Sequence, residues 1–177
     1  MTAIIGFESS CDETAVAVVV DGCKVLSSAI ASQIAKHAVY GGVVPELAAR
    51  EHLTAIRRVT DEALKEAGLS MEQIDAVAVT NGPGLVPALL VGVNFAKGFA
   101  AAYQKPLIVI NHFLGHIYGV FLDREEDIFA KKELFPMVGL VVSGGHTSLV
   151  LIEADGTASV VGTTLDDAAG EAFDKAA

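Results

Sequence analysis

At 177 residues, 52% of them hydrophobic and 19% charged, the chain is long enough for one domain plus the beginning of another and too apolar to be disordered. Its 12 Lys and Arg against 22 Asp and Glu leave a net charge of −10, which excludes a free-standing nucleic-acid binder driven by counterion release; if RNA is handled, other surfaces supply the positive charge. No apolar run approaches the roughly 18–20 residues that span a bilayer, residues 1–6 carry no basic leader, and Cys11 and Cys23 give neither a disulfide framework nor metal-ligand spacing, which fits a reducing cytoplasm.

In chain order, Ile4, Ile5 and Phe7 read as a strand leading into the polar stretch Glu8-Ser9-Ser10-Cys11-Asp12-Glu13-Thr14. A second strand covers 16–20, closed by the hairpin signal Asp21-Gly22, and a third follows over 24–30. Pro45 opens a long helix to Ala67, stopped by Gly68, with Leu47, Ala48, Ala55, Ile56, Val59, Ala63 and Leu64 at largely helical spacing. Ser70 and Gln73 spell a capping box ahead of a strand over 76–80. The turn Asn81-Gly82-Pro83-Gly84 leads to an apolar helix over 87–103, and Lys105-Pro106 breaks it before a strand over 107–110. This β-β-β-α-β-α-β order predicts an α/β fold with a mixed sheet and covering helices.

From Met137 the pattern restarts. Gly139-Leu140-Val141-Val142-Ser143-Gly144-Gly145-His146-Thr147 has the order of Gly6-Phe7-Glu8-Ser9-Ser10-Cys11-Asp12-Glu13-Thr14, and each copy runs on to an Asp-Gly, Asp21-Gly22 or Asp155-Gly156. Long-interval similarity predicts a duplicated lobe: residues 1–135 as a complete first lobe, and 136–177 as the start of a second that ends within a helix over 166–177.

Three constellations bear on chemistry. In the first turn, backbone N–H groups and hydroxyls can cradle phosphate while acidic groups hold a cation, which makes Glu8, Ser9, Ser10 and Asp12 the candidate contacts. An exposed polar hairpin explains one copy as well; the second turn, Ser143-Gly144-Gly145-His146-Thr147, tips the reading toward paired phosphate turns, as in the actin, sugar-kinase and Hsp70 type of nucleotide fold. In the second constellation, His112 and His116 stand one helical turn apart directly after a strand end, where they can share a metal. Two ligands fall short of the usual three, and ordinary histidines are the alternative. Phe113 stands where a zinc peptidase carries its general-base Glu, which counts against proteolysis. The third, Asn81-Gly82-Pro83-Gly84-Leu85, lacks both Walker and dinucleotide spacing and is favoured as a structural turn. His37 and His52 read as helix or loop residues with no assigned role.

The two turns, the paired histidines and three further stretches, Tyr40-Gly41-Gly42-Val43-Val44-Pro45-Glu46-Leu47-Ala48, Gly82-Pro83-Gly84-Leu85-Val86 and Asp166-Asp167-Ala168-Ala169-Gly170-Glu171-Ala172-Phe173-Asp174-Lys175, together resemble the tRNA threonylcarbamoyltransferase (TsaD, formerly glycoprotease) family over nearly the whole chain. The resemblance implies an actin-like fold and transfer of a threonylcarbamoyl group from threonylcarbamoyl-adenylate to N6 of the adenosine beside the tRNA anticodon. It further implies His112 and His116 as ligands of one divalent metal, iron with zinc as the alternative; Val141, Val142, Ser143, Gly144, Gly145 and Asp174 as substrate contacts; and tRNA and TsaB-like and TsaE-like proteins as partners, with a homodimer compatible. A typical member is nearly twice as long, so an N-terminal half is expected, inactive alone, with an acidic metal ligand in the other half. Leu114 departs from the family's usual Glu before the Gly of the histidine motif, and Pro87 from its usual small residue. A metallopeptidase, a non-catalytic actin-like scaffold and a kinase of the same fold are the competing readings.

Overall fold

The structure, a computed structural model, describes residues 1–123, 128 and 131–176. They fall into two compact units, Met1–Gly115 and His116–Ala177.

In the first unit, β1 (Ala3–Glu8), β2 (Glu13–Val20) and β3 (Lys24–Ser32) form an antiparallel meander. β4 (Ala76–Gly82) pairs parallel with β1, and β5 (Leu107–Asn111) parallel with β4, giving the order β3-β2-β1-β4-β5. Strict alternation sends Thr14, Val16, Val18 and Val20 of β2 to a buried face. There they join Ile5, Phe7, Val77 and Val79 beneath α2 (Pro45–Ala67) and α3 (Val86–Ala102), which contribute Ile56, Val59 and Ala96. The Phe7 ring meets Phe95 and Phe99 of α3 edge-on, with centroids 5.5 and 5.6 Å away. α2 starts at Pro45 and ends on Gly68, whose φ of 66° is the left-handed cap that glycine accommodates.

The expected elements are present, with shifted ends. β2 begins at Glu13 and β3 runs to Ser32, because the ladder continues through Thr14↔Ala31 and Glu13↔Ser32 beyond the apolar run. The polar turn is therefore only Ser9, Ser10, Cys11 and Asp12. A short helix α1 (Ile34–Ala38) escaped sequence reading, since five residues carry too little periodicity. Ser70 and Gln73 form the expected capping box. α4 (His112–Gly119) follows β5 with no intervening residue.

In the second unit, β6 (Met137–Val142), β7 (Thr147–Ile152) and β8 (Ala158–Thr163) form another antiparallel meander, followed by α5 (Ala169–Ala176). One constant offset in number carries Gly6↔Ala17 to Gly139↔Val150, Glu8↔Ala15 to Val141↔Ser148, and Ala15↔Ile30 to Ser148↔Thr163. The sequence repeat is thus a repeat of strand register, and the fold is of the α/β, actin-like class. This unit begins at His116, earlier than the expected division after residue 135, because Tyr118 donates to the Gly156 carbonyl and Ile117 is buried. The helix expected over 166–177 starts at Ala169, because the Thr164 hydroxyl ties up the Asp166 N–H and the Asp167 carbonyl in a loop. Its expected last residue, Ala177, lies outside the described residues.

Ile5 is fully buried on the central strand, whereas Ile30 on β3 is 56% exposed. Ile5→Ala is expected to cost about 2–5 kcal/mol in urea unfolding and Ile30→Ala less than about 0.5 kcal/mol.

Candidate active site

The β1–β2 turn is gripped from the body of the first unit. The Leu85 N–H, at the start of α3, donates to the Ser10 carbonyl at 2.7 Å. His52 Nε2, on α2, donates to the Cys11 carbonyl at 3.0 Å, and the Gln33 N–H, just past β3, donates to the Asp12 carbonyl at 3.1 Å. In a trans peptide the N–H points opposite to the C=O, so the Cys11 and Asp12 N–H groups point away from these donors. The Asp12 N–H meets the Cys11 thiol, which burial and the neighbouring Asp12 carboxyl push up to about 11.

Two glycines let α3 and its leading loop come this close. A Cβ on Gly84 would stand 2.6 Å from the Ser10 carbonyl oxygen, and one on Gly92 would stand 2.3 Å from Ser9 Oγ. Gly82-Pro83-Gly84 is therefore the structural turn expected, and its task is to seat Ser10. Ser9 differs from the expected hydroxyl cradle: it is buried and donates to the Ala88 carbonyl of α3 at 3.0 Å, so its side chain ties the turn down. Asp12 sits at the turn's end with its carbonyl capped.

Glu8, the last residue of β1, accepts the Ser10 N–H through Oε1, and its Oε2 lies 3.3 Å from His112 Nδ1. Ser10 Oγ is 3.1 Å from the same nitrogen. Burial pushes the Glu8 carboxyl up, but hydrogen bonds from Ser10, Thr80 and His112 outweigh it and hold the group below the ordinary glutamate value. An ionised Glu8 favours the His112 tautomer with its proton on Nδ1, as carboxylates do beside the imidazoles that ligate metals. The chemistry of this donor set fits the metal that the histidine spacing suggested. His116 follows one turn later on α4. Within the second unit it borders an apolar cavity of about 430 Å³ with Val120, Phe121, Met137 and Val141. Among the described residues, no three His, Cys, Asp or Glu side chains converge.

The second turn is built differently. The Ser143 N–H donates to the His146 carbonyl at 2.8 Å, and the His146 N–H to Ser143 Oγ at 3.0 Å, closing the turn on itself. At the start of α5 the Gly170 N–H donates to the Ser143 carbonyl at 3.2 Å. A Cβ on Gly170 would stand 2.7 Å from Gly144 Cα, so glycine is what permits this approach. Val142, Gly144, Gly145 and Asp174 are exposed, Ser143 is half-buried, and Val141 is buried because strand alternation turns it inward.

His37 and His52, given no role by sequence, are both buried. His52 Nδ1 lies 2.7 Å from Thr14 Oγ1, opposite the Nε2 bond to Cys11. Burial drives the His52 pKa down, with the Cys11 carbonyl opposing in part. The missed signal was its position on the buried stripe Ala48, His52, Ile56, Val59 of an amphipathic helix.

The family described as tRNA N6-adenosine threonylcarbamoyltransferase, TsaD, matches residues 24–177. The curated protein of that name from Syntrophobacter fumaroxidans is 58% identical over 174 residues, which are 98% of this chain and 50% of the relative. Its namesake from Listeria innocua is 54% identical over 176 residues, 99% of this chain and 49% of the relative. The chain thus spans about half the length of the curated relatives it matches. Among solved structures, YeaZ from Pseudomonas aeruginosa superposes with a TM-score of 0.55 at 16% identity, over 92% of this chain and 65% of that one, a likeness of fold alone.

Gly92→Ala is expected to destabilise the chain by about 1–3 kcal/mol, and adding Ser9→Ala to recover part of that loss in a double-mutant cycle read by urea unfolding. His52 also sets a pH dependence. Its unfolded value is near 6.5 and its folded value lower, so its neutral-form stability is complete above about 6.5. Below that the unfolded chain takes up a proton that the folded chain refuses, and stability falls. His52→Gln should flatten the loss of unfolding free energy between about pH 7 and pH 5.

Proposed function

This chain belongs to the tRNA N6-adenosine threonylcarbamoyltransferase (TsaD) family, and we propose that, together with the other half of its relatives' length, it moves a threonylcarbamoyl group from threonylcarbamoyl-AMP to N6 of the adenosine next to the tRNA anticodon. The observation that carries this reading is the join between the first turn and the histidine helix, where Glu8 and Ser10 both meet His112 Nδ1.

His112 and His116 would hold the divalent metal, iron with zinc as the alternative, which when bound supplies Lewis-acid polarisation of the carbamoyl carbonyl. The rest falls to the chain's own groups. The Cys11 and Asp12 amides, turned from the three donors, would offer their N–H groups to an adenylate phosphate, the Asp12 N–H exchanging the Cys11 thiol for it. Gly144 and Gly145, without side chains, let backbone approach the substrate closely, beside Val142, Ser143 and Asp174. Val141, buried, contributes through its main chain. Fixing the adenylate against the acceptor amine lowers the barrier by proximity, and AMP is already a competent leaving group.

A net charge of −10 supports partners that supply the basic surface for tRNA, of the TsaB and TsaE kind, with a homodimer as a further assembly. A cytoplasmic location goes with the tRNA substrate; among the described residues no helix is long and apolar enough to cross a membrane. The older glycoprotease reading gains no support, because Phe113 stands where its general base would be.

Produced at the relatives' full length with its partners, the protein is expected to generate threonylcarbamoyladenosine in tRNA, detected by nucleoside mass spectrometry. His112→Ala or His116→Ala should abolish both that product and metal retention, and Glu8→Gln should weaken metal affinity about 10–100-fold by elemental analysis after dialysis. Full activity in the double histidine variant would remove the metal role, and turnover by residues 1–177 alone would remove the need for the other half.

A further inference from the structure

We propose that His52 is a positioning residue for the first turn: its imidazole sets the plane of the Cys11–Asp12 peptide, and with it the direction in which the Asp12 N–H meets a bound phosphate. This rests on the adenylate reading above for its ligand, but not for its geometry.

Of the three carbonyl captures that hold the turn, those of Ser10 and Asp12 come from main-chain N–H groups, which no substitution other than proline removes. The capture of Cys11 comes from a side chain. The imidazole is fully buried on the core-facing stripe of α2, a position where an aliphatic side chain would avoid the cost of desolvating two ring nitrogens.

Its tautomer is dictated by a chain of directional bonds. The Val44 N–H donates to His37 Nδ1 at 3.3 Å, so His37 Nε2 carries the proton and donates to Gln33 Oε1 at 3.0 Å. That orients the Gln33 amide with its NH₂ toward the Ala48 carbonyl at 3.4 Å and His52 Nδ1 at 3.5 Å. The Thr14 hydroxyl, at 2.7 Å, is the close donor to that nitrogen. His52 Nδ1 is thereby an acceptor, and Nε2 is left as the N–H that reaches Cys11. One ring thus spans both ends of the turn, Cys11 within it and Thr14 just beyond it on β2.

The test compares His52→Gln with His52→Asn in the full chain, because Gln extends an amide to the Nε2 position and Asn reaches only as far as Nδ1. The readouts are the ¹⁵N–¹H resonance of the Asp12 amide, which shares its peptide with the Cys11 carbonyl, and affinity for AMP as the probe. Both variants are expected to melt at lower temperature. His52→Gln should keep the Asp12 resonance and bind AMP within about threefold of wild type, whereas His52→Asn should move the resonance and weaken AMP about tenfold. Equal resonances and affinities in the two variants, whether both kept or both lost, would overturn the proposal. If His52→Asn does not fold, Thr14→Val, close in shape but without the hydroxyl that sets the tautomer, replaces it: a displaced Asp12 resonance supports the role, and a wild-type resonance overturns it. Failure of the wild-type chain to bind AMP would count against the adenylate reading, and the Asp12 resonance would still decide the role of His52.

Discussion

A buried peptide group has to find a partner, and in this chain that requirement falls hardest on the end of the central strand. β1 is buried between β2 and β4, and where it stops the chain reverses within four residues beneath two helices. The carbonyls of Ser10, Cys11 and Asp12 each find a donor there, although Cys11 is exposed and Asp12 half-buried. Those donors come from the start of α3, from the middle of α2 and from the residue after β3. Much of the first unit's sequence serves this arrangement. Gly84 and Gly92 admit α3 and its leading loop to the turn, Ser9 bonds α3 back, and His52 sits where the packing alone would favour an aliphatic residue.

The architecture was legible in the sequence wherever a local rule governs it. Pro45 and Gly68 bracket α2 because one presets a helical φ and the other accepts a left-handed one. The repeat was legible because strand register is a sequence-periodic property: the constant offset carries across the first strand pairing and into the second, until irregularities at different positions break it. The ends of β2, β3 and β4 were not, since ladder hydrogen bonds are indifferent to side-chain polarity: they run on through Glu13 and, across an irregularity at Asn81, to Gly82. The start of α5 was missed for a related reason: Thr164 binds the backbone of Asp166 and Asp167 in a loop that composition does not distinguish from a helix turn.

The site was half legible. Two histidines at helical spacing after a strand are visible in one dimension, but the carboxylate that meets His112 is not. Glu8 and His112 are separated by β2, β3, β4, β5 and the helices between, and only the parallel pairing of β1, β4 and β5 brings their ends to one edge of the sheet. Ser9 was misjudged because a serine in a polar turn looks exposed, whereas the glycine that receives it lies far along the chain in α3. A glycine inside an apolar helix costs stability relative to alanine, and Gly92 could have been read as the mark of a close approach.

The two turns share a strand register but not a way of being held. In the first, donors from three separate elements seize the carbonyls, so its amides are aimed by the surrounding fold and any shift in α2 or α3 would be felt there. In the second, Ser143 and His146 bond to each other, and α5 adds the Gly170 N–H to the Ser143 carbonyl and the Ala169 N–H to the Thr147 hydroxyl. A turn closed on itself keeps its shape with little help, and with glycines at 144 and 145 it presents bare backbone. The first turn is therefore fixed by the fold around it, and the second mainly by its own bonds. The same hairpin register occurs twice. Cys11 and Asp12 stand where the second copy has Gly144 and Gly145, and both of their carbonyls accept from the surrounding fold.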